Sequence, residues 1–163
     1  MTSPFLASYS GQTTDELLAL EGEYRIDSLV LAFEQAIQGK ARRSREESYV
    51  LAVEALEREV NNGGFSQFFG NSSGEFAPLV ERALRAIDCP KTADIARDAI
   101  AALAVDGELA GAAVAHAVSE EDEEIRLHLA RCDDRYFSND EPIADRLFAW
   151  IKANRATVRV GDS

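Results

Sequence analysis

The sequence predicts an all-α fold, a single compact domain over residues 1–163 with about seven or eight helices. Three observations point there. Apolar residues recur at helical spacing in one segment after another, no run alternates apolar and polar residues as a strand would, and prolines and acids stand where first helical turns accept them. No repeat or interdomain linker interrupts the chain. With 163 residues and 46% apolar content it is long enough to bury a proper core.

Taken in order, residues 1–22 read as a polar lead-in with a short helix near Asp15-Glu16-Leu17-Leu18, and residues 24–155 as the helical core. The first firm helix runs from about Tyr24 to Gln38, with Ile26, Leu29, Val30, Phe33 and Ile37 on one buried stripe. A basic connection, Lys40-Ala41-Arg42-Arg43, leads to a second helix capped by Ser44, with Glu46 and Glu47 in its first turn. Tyr49, Val53, Leu56 and Val60 make its stripe. Asn61-Asn62-Gly63-Gly64 breaks it, because asparagine and glycine accept left-handed backbone. Phe65, Phe68 and Phe69 then share a face of a short helical turn.

The next start has two readings. Ser72 with Glu75 matches a capping box, whereas Pro78 places the start nearer Gly74 to Ala77, and the proline is preferred. Phe76, Leu79, Val80, Ala83, Leu84 and Ile87 follow, ending at Asp88. Pro90 opens a helix with Ile95, Ala96, Ala99, Ile100 and Leu103 inward, stopped by Asp106-Gly107. Leu109 to Val118 is alanine-rich and helical. Ser119 is expected to cap a helix with Glu120–Glu124 in its first turns and Ile125, Leu129, Cys132 and Tyr136 buried. Asn139 or Asp140 is expected to cap the last helix, with Ile143, Leu147, Trp150 and Ile151 inward. Residues 156–163 are expected to be frayed apart from a short extended piece at Val158-Arg159-Val160.

Charge is the unusual quantity. There are 29 acidic and 17 basic residues, a net charge of -12. Residues 1–39 carry net -5 and residues 108–141 net -7, while the rest of the chain cancels. The second segment holds the run Glu120, Glu121, Asp122, Glu123 and Glu124, with Asp133, Asp134, Asp140 and Glu141 at its other end. A field of this sign repels nucleic acid and anionic membrane and attracts basic surfaces. The start of the chain lacks the basic and apolar regions of a signal peptide, and no apolar segment reaches the length of a membrane span. Cys89 and Cys132 are too few for a disulfide framework. A cytoplasmic location is expected.

The residues present no convincing catalytic constellation, so no enzymatic activity and no cofactor are expected. Glu124, His128 and Cys132 stand four apart on one helix, within reach of a shared metal, but Cys132 belongs to the apolar stripe and a fourth ligand is missing; no metal is expected. His116 has no partner in the sequence. Asn-Asn-Gly-Gly lacks the Lys-Ser/Thr of a phosphate loop.

The block Glu59-Val60-Asn61-Asn62-Gly63-Gly64-Phe65-Ser66-Gln67-Phe68-Phe69, followed by Asn71-Ser72-Ser73-Gly74, resembles the hallmark of a bacterial all-helical family, formerly a domain of unknown function, whose best-known member is an acidic DNA-mimic protein. Ala86-Ile87, Pro90-Lys91-Thr92-Ala93 and Asp133-Asp134-Arg135-Tyr136-Phe137 extend the likeness over roughly residues 26–155. The resemblance implies a compact helical fold and a homodimer whose acidic surface occupies the DNA-binding face of a helix-turn-helix repressor. Asn61, Asn62, Gly63, Gly64, Phe65, Phe68 and Phe69 then read as structural. The partner surface falls to Glu120–Glu124, Asp133, Asp134, Asp140 and Glu141. Two other readings stay open: a small-ligand or catalytic pocket near Asn61, Asn62, Gln67 and the phenylalanines, and a plain interaction or dimerisation module.

Overall fold

A computed structural model describes residues 2–120 and 122–161. Among these the chain is all-α, with α1 Thr14–Ala19, α2 Ile26–Gln38, α3 Arg45–Gly70, a 3₁₀ turn Ser72–Phe76, α4 Ala77–Ala86, α5 Pro90–Ala102, α6 Gly111–Ser119, α7 Glu123–Phe137 and α8 Ile143–Ala153. A single bridge between Glu21 and Tyr24 is the only β pairing among the described residues. No helix there is long and apolar enough to cross a membrane. The chain forms two compact units, residues 1–54 with 142–163, and residues 55–141.

In the first unit α2 packs on α8 and on α1. Leu29, Val30, Phe33 and Ile37 of α2 are buried as their spacing requires, and so are Leu147 and Ile151 of α8. Tyr49 and Trp150 rings meet at 6.0 Å. Ser44 and Glu47 form a capping box at the start of α3: the Glu47 amide donates to Ser44 Oγ at 3.0 Å and the Ser44 amide to Glu47 Oε1 at 2.7 Å. The lead-in is more than a polar segment. Its Leu17 is fully buried, and the Leu6 amide donates to Ser28 Oγ at 3.0 Å.

At the end of the chain the piece Val158-Arg159-Val160, set apart from the expected fraying, is anchored in the core. Val158 and Val160 are buried. Thr14 Oγ1 donates to the Val158 carbonyl at 2.7 Å and accepts from the Val160 amide at 2.9 Å. Lys40 Nζ donates to the Arg159 carbonyl at 2.6 Å, while Glu47 pairs with Lys40 and accepts from the Arg159 amide. These bonds satisfy extended backbone that no strand partner covers. Asp162 and Ser163, included in the expected fraying, lie outside the described residues.

In the second unit α5 packs against α4 and α7, and α6 packs on the 3₁₀ turn. Of the two readings of the segment after Asn71 the preferred one holds, because no Ser72–Glu75 capping box forms and neither helix start there has a side-chain cap. Ser72 to Phe76 make the 3₁₀ turn, and the α-helix proper starts at Ala77 with Pro78 in its first turn. Two expected caps are corrected. Ser119 ends α6 and turns its hydroxyl back to the His116 carbonyl at 2.8 Å, so Asp122 caps α7 instead, accepting from the Glu124 amide at 2.8 Å. Neither Asn139 nor Asp140 caps α8, which starts after Pro142 with no side-chain cap.

Deleting residues 158–163 is expected to lower unfolding stability by about 2 kcal/mol or more, because two buried valines and their hydrogen bonds go with it. Urea denaturation checks this, since a frayed tail would leave the midpoint unchanged. Burial pushes the Glu47 carboxyl up, but hydrogen bonds from Lys40, Ser44 and Arg159 outweigh it and hold the pKa below its ordinary 4.5. Its stabilising effect is therefore fully present above that ordinary value and is lost as pH falls through the lower folded one. Glu47→Gln should cost about 2 kcal/mol at neutral pH and flatten the acid side of the stability profile.

Candidate functional site

The amide-and-glycine block is a bend in α3. Asn61 and Asn62 continue the helix, whereas Gly63 (φ -157°, ψ 19°) and Gly64 (φ 76°, ψ -176°) leave helical backbone before Phe65 resumes it. The Gly64 conformation is one that only glycine adopts without strain. Phe65 opens a new helical arm with no capping side chain next to it in sequence. The cap arrives from α7: the Phe65 amide donates to Asp133 Oδ1 at 2.8 Å. A Cβ on Gly64 would lie 2.8 Å from Asp133 Cγ, so the second glycine also makes room for the carboxylate.

Around this contact the aromatic side chains close the interior. Phe65, Phe68 and Phe69 are fully buried, with ring centroids 5.3 Å apart for Phe68 and Phe69 and 6.0 Å for Phe65 and Tyr136. Tyr136, one turn beyond Asp133, donates its hydroxyl to Glu57. Burial pushes both the Asp133 and Glu57 carboxyls above their ordinary ranges, although the hydrogen bonds they accept pull the other way. The amides are engaged locally: Asn61 Nδ2 donates to the Glu57 carbonyl at 2.6 Å and Gln67 Nε2 to Glu59 Oε2 at 2.5 Å. The structural reading of Asn61, Gly63, Gly64, Phe65, Phe68 and Phe69 therefore has a physical basis. Asn62 is exposed.

The nine acids expected to meet a partner separate into distinct roles. Asp133 caps the arm at Phe65, and Asp122 caps α7. Glu141 caps α5 from a distance, accepting from the Lys91 amide at 3.0 Å and from the Thr92 amide at 2.7 Å. Burial pushes its carboxyl up, but the bonds from Thr92, Lys91 and Asn139 prevail and hold its pKa below the ordinary value. Glu120 is exposed, with His116 Nε2 at 3.3 Å. Glu123 pairs with Arg126, and Asp140 lies 3.2 Å from Lys91 Nζ. Glu124 and Asp134 are exposed. Glu121 lies outside the described residues.

The two acidic clusters thus sit at opposite ends of α7, ten or eleven residues or about 15 Å apart. Arg126, His128 and Arg131 lie exposed between them. Farther round the helix, Arg135 joins Asp98 of α5 at 2.7 Å. Glu124, His128 and Cys132 do not gather: Cys132 is buried and the other two are exposed. Among the described residues no three His, Cys, Asp or Glu side chains are placed to hold a metal ion.

Sequence reasoning missed Leu127 and Phe137, which are 50% and 56% exposed on α7. Their spacing carried a signal. With Glu123, Ala130 and Asp134 they form a stripe of steps four, three, four and three, opposite the buried Leu129, Cys132 and Tyr136.

An all-helical chain with a net charge of -12, bent at Asn-Asn-Gly-Gly-Phe, defines a class of acidic helical proteins. The chain belongs to the DMP19-like protein family, whose sequence pattern matches residues 41–154. No curated protein and no solved structure matches it.

Gly64→Ala is expected to cost about 2–4 kcal/mol through backbone strain and crowding of the Asp133 carboxylate. Asp133→Ala should cost about 1–2 kcal/mol as a lost cap. Combined, the two should fall short of additivity by about 1 kcal/mol, since removing the carboxylate relieves the crowding but not the strain. Urea denaturation of the four proteins measures that coupling; strict additivity would contradict the contact.

Proposed function

We propose that this protein is a non-enzymatic, cytoplasmic, acidic binding protein that imitates DNA and occupies the DNA-binding surface of a transcription regulator. One observation carries the reading beyond family membership. Residues 55–141 hold 18 of the acidic and 8 of the basic residues, net -10 of the total -12, so nearly all the charge belongs to one compact unit. DNA-binding proteins gain much of their affinity by neutralising phosphates with lysine and arginine. Carboxylates offered at Glu120, Glu123, Glu124 and Asp134 compete for the same cations, and do so most strongly at low ionic strength. Asp122, Asp133 and Glu141 hold helix starts in place and keep the exposed carboxylates in register.

The test is capture of partners on the immobilised full chain, followed by competition with duplex DNA carrying the captured protein's own site. A DNA-binding protein should elute as salt rises and should be displaced by its DNA. The combined variant Glu120→Gln, Glu123→Gln, Glu124→Gln and Asp134→Asn should retain the wild-type circular dichroism spectrum. At about 0.5 kcal/mol for each exposed ion pair, it should lose tenfold or more in affinity. A partner that binds this protein and its DNA at once, or whose binding ignores salt, would overturn the reading.

A further inference from the structure

α7 has an outward face that its own unit leaves uncovered. Glu123, Leu127, Ala130, Asp134 and Phe137 follow one another at steps of four, three, four and three, the spacing at which a second helix packs along a first. Leu127 and Phe137 are among the three large apolar side chains that the described chain leaves exposed. Single exposed apolar residues need no explanation, but these two lie on one stripe, ten residues or about 15 Å apart. Ala130 stands between them and lets a neighbouring backbone approach. The Phe137 ring is held edge-on against Tyr136 at 5.9 Å, which limits the freedom it would lose on contact.

The charges around the stripe are patterned. Glu120, Asp122, Glu123 and Glu124 gather at its start, and Asp134 and Asp140 at its end. Arg126 and Arg131 flank the middle, the former paired with Glu123. The complement of this face is an amphipathic helix with apolar side chains at the same spacing, basic clusters near both ends and no basic cluster at its centre.

We infer that the Glu123–Phe137 face of α7 is a docking surface for a helix of that description on the partner, with Leu127 and Phe137 as its apolar anchors. The inference rests on the proposed function and deepens it: charge draws the partner in, and the apolar stripe selects a helix over any other basic surface. A partner helix of about fourteen residues spans the face.

The experiment uses the full-length protein and two labelled synthetic peptides of identical composition. One carries leucines at the 3–4 spacing with lysine and arginine at both ends; the other has its leucines moved off the stripe. Fluorescence anisotropy should show the patterned peptide binding at least tenfold more tightly. Leu127→Ala and Phe137→Ala should each reduce that preference about fivefold or more. The Leu127 variant should melt at the wild-type temperature, because its side chain supports no interior packing. Equal binding of both peptides, or indifference to Leu127→Ala, would overturn the docking stripe. The mimic reading would then still stand or fall on salt-dependent, DNA-competed capture. Sedimentation showing self-association that Leu127→Ala abolishes would assign the face to a second copy of the chain, and would equally overturn the inference.

Discussion

The 55–141 unit depends on one hydrogen bond between distant parts of its chain, from the Phe65 amide to the Asp133 carboxylate. A helix start exposes amide hydrogens that need an acceptor, and the residues just before Phe65 are glycines with nothing to offer. Asp133 supplies the acceptor from α7. The same glycines allow the backbone to turn and the carboxylate to come close. Tyr136, three residues on, reaches Glu57 from the same face of α7 and meets Phe65 edge-to-face. These contacts set the rotation of α7 about its own axis. Its outward stripe of Leu127, Ala130, Asp134 and Phe137 follows from that rotation.

Among the described residues the acids do different kinds of work. Asp122, Asp133 and Glu141 cap helices, two of them from far along the chain. Asp94, Asp98 and Glu123 neutralise neighbouring arginines. Glu124 and Asp134 remain exposed at the two ends of α7. The capping roles set opposite demands on the carboxyl groups. Asp133 is buried enough that its charged form is disfavoured, whereas the donors around Glu141 overcome the same penalty. Glu47 plays a comparable part in the other unit, where one carboxylate joins Lys40, Ser44 and the backbone of Arg159.

The sequence by itself determined that the chain is all-α: helical periodicity placed the buried stripes of α2, α5 and α7, and the glycines placed the bend at Gly63-Gly64. These are local properties, decided by spacings of three and four residues and by the one residue type that tolerates the Gly64 backbone. The order of the Asn-Asn-Gly-Gly-Phe block was enough to suggest the family. What sequence could not assign was the use of each acid. Asp133 and Asp134 are neighbours of the same type, yet one caps a helix that begins 68 residues earlier and the other faces outward. Their difference is 100° of rotation about α7, and only the packing of that helix decides which of them turns inward. The burial of Val158 and Val160 is of the same kind, since an extended segment without a regular partner shows no period, and Thr14, Lys40 and Glu47 meet it only once the chain has folded.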